Sequence, residues 1–425
     1  MTPQSNLTLM APIAAGRDTS LRSLLASMNR QPGEVDSLNS LLPFARFEDL
    51  HFARLVILDD QTTGDIAVYG QPPPSYPLYL AFLADFDGSY DEFLTQLVEH
   101  AGTGLRSIFS HCEGFNETTD IRAWMKDREC PPAAAYVNWI GRTAKQCRQE
   151  ARLRTALVDY LAKAPDLLDQ PAVQLHAQLR EYAWKNGLMP EPEPKTPIRW
   201  WISNKLHAVL MAPILLLGLL LWTPVLLLVL RSRENSDPVI APPPNPALAK
   251  KLADIEDHGF TNQFSAMGSL KPGVFRRWTT VLLLAAINYS TRHIYNKGAL
   301  ARVHSIHFAR WIFIDNKKRM LFASNYDGSL ESYMDDFINK VAFGLNVVFS
   351  NGIGYPSTRW LVLDGAKDEQ KFKHFIRRHE FATEVWYNAH AGLSANDMRR
   401  NAAIRRQLEM ERLNDGQARE WAALL

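Results

Sequence analysis

Three kinds of side chain capable of chemistry recur in paired contexts. His51 opens "HFARLVILDD" and His307 opens "HFARWIFIDN". A histidine titrates near neutrality and can act as a general base or hold a cofactor. Arg54 and Arg310 follow in the same strings, and a guanidinium fork matches a carboxylate or a phosphate. Asp87 and Asp327 stand before glycine in "DFDGS" and "NYDGS", where a carboxylate could serve in acid–base work.

Each pair also has a purely structural reading. Gly88 and Gly328 permit a positive φ where a strand turns into a helix. Ser89 and Ser329 can cap that helix, and acidic residues in the first turn suit its dipole. Strand alternation puts His51, Ala53, Leu55 and Ile57 on one face, and Phe52, Arg54, Val56 and Leu58 on the other. An arginine flanked by apolar residues must find an acceptor. The expected partners are Asp59 or Asp87 for Arg54, and Asp315 or Asp327 for Arg310. The alternative is an anion-binding arginine in a cleft. A strand-end histidine is more often a hydrogen-bonded rim residue than a ligand.

These contexts recur because the chain repeats itself. After H-F-A-R and D-G-S come "LRSIFSHCEGF" and "LNVVFSNGIGY", then "AYVNWIGRTAKQCRQEARLRTAL" and "VWYNAHAGLSANDMRRNAAIRRQL". Periodicity predicts strands at 7–12 and 263–270 and helices at 19–28 and 274–295. Two strands follow in each copy, then helices at 90–100 and 330–341, then fourth strands at 107–112 and 346–350; each copy then adds a strand and a basic helix, and the second also inserts a strand and helix in "RWLVLDGAKDEQKFKHFIRRHE". The order β-α-β-β-α-β is the ferredoxin-like unit. The expected fold is therefore α+β: two tandem ferredoxin-like repeats pairing as an intramolecular pseudo-dimer, with an apolar membrane segment between them.

Repeat 1 with its basic C-terminal helix is placed at 1–165, a helical, Pro-rich linker at 166–205, the membrane segment at 206–230, a second Pro-rich linker at 231–259, and repeat 2 with its extension at 260–425. The segment "AVLMAPILLLGLLLWTPVLLLVL" carries no charge. As a helix it would span roughly 34 Å, enough for a bilayer core of about 30 Å. Trp200, Trp201 and Trp222 supply interfacial anchors. Lys195, Arg199 and Lys205 flank one end, Arg231 and Arg233 the other. Positive flanks at both ends, with Pro213, Gly218 and Pro224 inside, suit a shallow hairpin that keeps both repeats on the cytoplasmic face. "WTTVLLLAAIN" is apolar too, but it falls at the first helix of repeat 2 and is too short to span.

A formal charge of +2 on 425 residues gives no electrostatic case for nucleic acid. Three cysteines, without metal-ligand spacing, fit a reducing compartment. No P-loop, nucleophile elbow or dinucleotide fingerprint is present, and no metal site is expected.

The strings "IHFARWIFID", "LFASNYDGSLESYMDDFINK" and "RWLVLDGAKDEQKF" resemble an uncharacterised bacterial membrane-associated family. Its domains are similar in element order to the dimeric α/β-barrel superfamily, which includes dye-decolourising peroxidases. That resemblance implies a ligand-binding cleft between the copies. Its peroxidase members have a haem-ligating histidine, which would make His51 or His307 the cofactor ligand, and a catalytic aspartate before a glycine, which would fall on Asp87 or Asp327. Two functions follow: a membrane-associated protein binding a small ligand or lipid surface, or a haem- or peroxide-dependent oxidoreductase.

Overall fold

A computed structural model describes residues 2–192, 196–295 and 297–425, with the backbone alone at 208, 219, 222 and 225. Lys195 and the Trp222 side chain lie outside the described residues. The chain is α+β. Its first half runs β1 (Gln4–Pro12), α1 (Asp18–Ala26), β2 (Leu50–Leu58), β3 (Tyr79–Asp87), α2 (Tyr90–Phe109), β4 (Ala134–Val137) and α3 (Ala144–Lys163). The long helix α4 (Ile198–Ser236) follows. The second half runs β5 (Thr261–Ser269), α5 (Val274–His293), β6 (Ile306–Ile314), β7 (Arg319–Asp327), α6 (Leu330–Phe349), α7 (Glu369–His379), β8 (Thr383–Asn388) and α8 (Ala395–Leu408).

Two four-stranded antiparallel sheets result, in the orders β1-β3-β2-β8 and β4-β6-β7-β5. Each takes three strands from one half and its fourth from the other: β8 pairs with β2, and β4 with β6. The fourth strands expected at 107–112 and 346–350 do not form. α2 continues to Phe109 and α6 to Phe349. The β-branched residues in "RSIF" and "NVVF" argued for strands locally. The helix wins because it buries Leu105, Ile108 and Phe109 against the first sheet, and Leu345 and Val348 against the second, and burial outweighs propensity.

Alternation then divides the residues. Ala53, Leu55 and Ile57 of β2 face α1 and α2. Val56 and Leu58 face the opposite sheet, where they meet Met267, Ile312, Ile314 and Leu321. The "WTTVLLLAAIN" stretch lies inside α5, whose Thr280 and Leu284 are buried. The two basic helices do not present fully solvated faces: α3 and α8 pack through Leu153, Leu157, Ile404 and Leu408, and Arg405 is buried on Glu150 at 2.8 Å.

Among the described residues one helical stretch is long and apolar enough to cross a membrane, Ile198–Gly218, and none of it is buried. Trp200 and Trp201 on it are exposed. Both ends of α4 touch the second half. His207 stacks on His293 near the α5 C-terminus. Glu234 accepts from the Thr358 hydroxyl at 2.7 Å, and Asp237 pairs with Arg276 at 2.6 Å and Lys271 at 2.8 Å.

Candidate functional site

The histidines owe their position to a break in the strand pattern. Leu50 pairs with Phe86 and Phe52 with Asp85, so His51 is the extra residue of a β-bulge. Ile306 pairs with Tyr326 and Phe308 with Asn325, leaving His307 in the same place on β6. A bulge re-aims the side chain it carries. His51 therefore leaves the face of Ala53 and Leu55, where strict alternation put it. Its ring lies 5.2 Å from Phe308, and that of His307 lies 5.4 Å from Phe52.

Both aspartates end on these histidines. Asp87 Oδ1 is 3.0 Å from His51 Nε2, and its Oδ2 accepts from the Ala144 amide at the start of α3, at 2.7 Å. Asp327 Oδ1 is 2.6 Å from His307 Nε2 and accepts from the Thr261 hydroxyl; its Oδ2 accepts from the Ala395 amide at the start of α8, at 2.7 Å. A carboxylate at a helix N-terminus satisfies an orphan donor and suits the dipole. Each aspartate thus ties a strand end, a bulge histidine and a helix start together. The glycines beside them carry φ values of 88° and 84°, and Ser89 forms a capping box with Glu92.

The arginines do not pair within their own halves. Arg54 Nη1 donates to the Phe264 carbonyl (2.7 Å) and Ser265 Oγ (3.0 Å), and Nη2 donates to the Ser324 carbonyl (2.9 Å) and Asn325 Oδ1. Arg310 does the same in reverse, donating to the Leu7 carbonyl (2.7 Å), Thr8 Oγ1 (3.1 Å), the Ala84 carbonyl (3.1 Å) and Asp85. Asn325 Nδ2 donates to Asp85 Oδ2 at 3.1 Å, closing the network. Asp59 is exposed, and Asp315 pairs with Arg319 instead. Two guanidinium groups share one carboxylate, so backbone and hydroxyl oxygens disperse the remaining positive charge. Burial pushes Arg54 down to about 9, which keeps it charged at neutral pH. Both terminal nitrogens of each guanidinium are engaged by oxygens of the facing sheet, so these arginines lock the sheets together.

A third histidine was missed by sequence reasoning. His390 Nε2 is 3.0 Å from His51 Nδ1, while its own Nδ1 is buried without a hydrogen-bond partner. Burial, and then the nearby His51 and His307, push it well below its ordinary value. Its one sequence signal is the string "NAHAG" leading into the basic helix. His51, His307, His390, Trp139, Arg142 and Cys147 line a cavity of about 40 Å³. Burial pushes the Cys147 thiol up to about 12, so it is not an activated nucleophile.

The haem expected from the resemblance does not fit here. The cavity has room for a few waters, whereas cofactor pockets run from about 300 Å³ upward. Nε2 of both His51 and His307 is already held by a carboxylate. Among the described residues no cluster of His, Cys, Asp or Glu is arranged to hold a metal ion. No family model matches the chain, and no curated protein or solved structure matches it.

Proposed function

We propose that the chain is a membrane-anchored binding protein: two ferredoxin-like repeats, paired sheet to sheet as a pseudo-dimer on the cytoplasmic face, holding a small apolar ligand or a lipid surface. The observation that carries the reading is α4. The apolar side chains of its Ile198–Gly218 stretch are bare, and exposed apolar surface on this scale marks an interaction surface. Its two ends touch the same half, at His293 and at Arg276. α4 runs as one helix through Pro213 and Pro224, and attachment of both its ends to one half favours an anchor lying in the membrane plane over a straight crossing that would separate its ends. The cross-inserted arginines support pairing of the repeats within one chain.

The interior between the sheets is filled by side chains, so ligand binding is assigned to the outer faces. The test is flotation of the full chain with sealed vesicles, compared with the double substitution Leu216→Glu and Leu220→Glu. Flotation lost in the variant supports the anchor; flotation unchanged overturns it. Protease access to both halves from the same side of the vesicle supports the shared face, and protection of one half alone overturns it.

A further inference from the structure

α2 and α6 each carry a glycine at the same distance from the capping serine, Gly104 after Ser89 and Gly344 after Ser329. Glycine inside a helix is unfavourable relative to alanine, so a reason for it is expected at each place. At Gly104 the reason is plain. A Cβ there would stand 2.0 Å from the Leu41 carbonyl oxygen, because the segment before β2 presses its backbone onto the helix. At Gly344 a Cβ would meet nothing within 4 Å. In the second half α5 is long and the connection to β6 is shorter, and no described segment covers the glycine.

What stands there is a cavity of about 210 Å³ between α5 and α6, lined by Ile287, Trp311, Phe337, Val341, Leu345 and Val348 among others. Cavities of roughly 150 Å³ with such linings stay dry and accept guests the size of benzene. The hydroxyls on its α5 wall are spent: Ser290 donates to the Ala286 carbonyl and Thr291 to the Ala135 carbonyl. A further void of about 40 Å³ lies on the other side of the Phe322, Phe337, Leu345 and Phe349 side chains. The backbone of its wall is irregular at two points. Val341 leaves helical geometry at φ −143°, and Ala301 adopts φ 54°; positive φ at a residue with a side chain is the kind of strain that collects at binding sites.

We propose that this cavity takes a single aliphatic chain, the acyl tail of a lipid. Position argues for that occupant. Ser290 and Thr291 of the wall lie within one turn of Tyr289 and His293, and His207 at the base of the apolar helix stacks on His293 and tilts against Tyr289. Phe343, on the cavity wall, is 58% exposed. On α5 itself, Val274, Trp278 and Leu282 are exposed at helical spacing. The choice of lipid as source rests on the membrane reading above; the affinity of the cavity for an alkyl chain does not.

The test uses the full chain in nanodiscs of phosphatidylcholine and phosphatidylglycerol, with a phospholipid bearing a diazirine near the end of one acyl chain. A parallel arm adds a free diazirine fatty acid to the chain held in amphipol. The expected result is adducts mapped to 287–295 and 341–349. Gly344→Leu, which fills the space, should reduce them at least tenfold while adducts along α4 persist and the melting temperature holds or rises. Gly344→Ala should keep them. Adducts in the phospholipid arm identify a bilayer lipid as source, and adducts in the fatty-acid arm alone identify a free one. Labelling of α4 without the cavity in either arm overturns the cavity and leaves the anchor standing. An unlabelled α4 in nanodiscs overturns the anchor, and the fatty-acid arm then decides the cavity. Cavity labelling that Gly344→Leu does not change overturns the site.

Discussion

Arg310 is held by Asp85, a residue 225 positions earlier in the chain and on the opposite sheet. Its counterpart Arg54 meets Asn325 at the corresponding place. The two places are thus unequal: one carboxylate serves two buried cations.

Asp85→Asn should therefore be severe, because both guanidinium groups lose their one buried counter-charge. The expected loss is about 3–5 kcal/mol in denaturant unfolding. Asn325→Asp in the same chain moves the carboxylate to the other side of the network and should recover most of that loss. A double variant no more stable than Asp85→Asn would show that the network is not shared.

Asp327→Ala should cost about 2–3 kcal/mol, since the Ala395 amide, the Thr261 hydroxyl and His307 lose an acceptor together. Lipid labelling at 341–349 should be unchanged, because the aspartate lies at the strand end and not in that cavity. Loss of labelling at retained stability would make the D-G-S corner functional.

Stability should fall as the pH drops below neutral. His390 is depressed in the folded state, so the unfolded chain binds that proton more readily. The stability it lends is complete above the unfolded value of about 6.5 and is lost as pH falls through the folded one. His51, His307, Arg142 and Arg148 face it and add to the cost of charging it. His390→Gln should flatten the profile of unfolding free energy between pH 7 and 5; an unchanged slope would place its origin elsewhere.

Cys112 and Cys147 are buried, and burial pushes both thiols up to about 12. Native protein at pH 8 should leave both unmodified by iodoacetamide, as mass spectrometry of tryptic peptides would record, and unfolding should expose them. Rapid native alkylation of Cys147 would mean that the histidine cavity opens.

Incubation with haemin should give no Soret band that survives desalting. A stable band, lost in His51→Ala or His307→Ala, would show that the inter-sheet space opens to admit the cofactor.

Much of the first sheet-forming order was readable, because alternation in "HFARLVIL" and "HFARWIFI" and the glycine–serine corners are local signals. So were the strands in "AYVN" and "VWYN" ahead of the basic helices, though not that each completes the sheet of the other half. "RSIF" and "NVVF" look like strands over a short window, and only the sheet beneath makes them helix. The bulge at His51 and His307 shifts a period of two by one residue, which no composition signals. The arginine partners were misassigned for a related reason. Nearby carboxylates were the candidates in the sequence, whereas the acceptors are mostly carbonyl and amide oxygens on the facing sheet. His390 entered the site through strand β8, whose crossing to the first sheet is a tertiary event.

That crossing decides how the molecule comes apart. A protease cut within "IAPPPN" would sever the backbone but leave β4 in the second sheet and β8 in the first. The nicked protein should still migrate as one particle. Either fragment alone would present an unzipped edge, at β2 or at β6, and such an edge recruits whatever strand is nearby. Separately expressed fragments should therefore be insoluble apart and recover together, as a split protein that reassembles by trading strands.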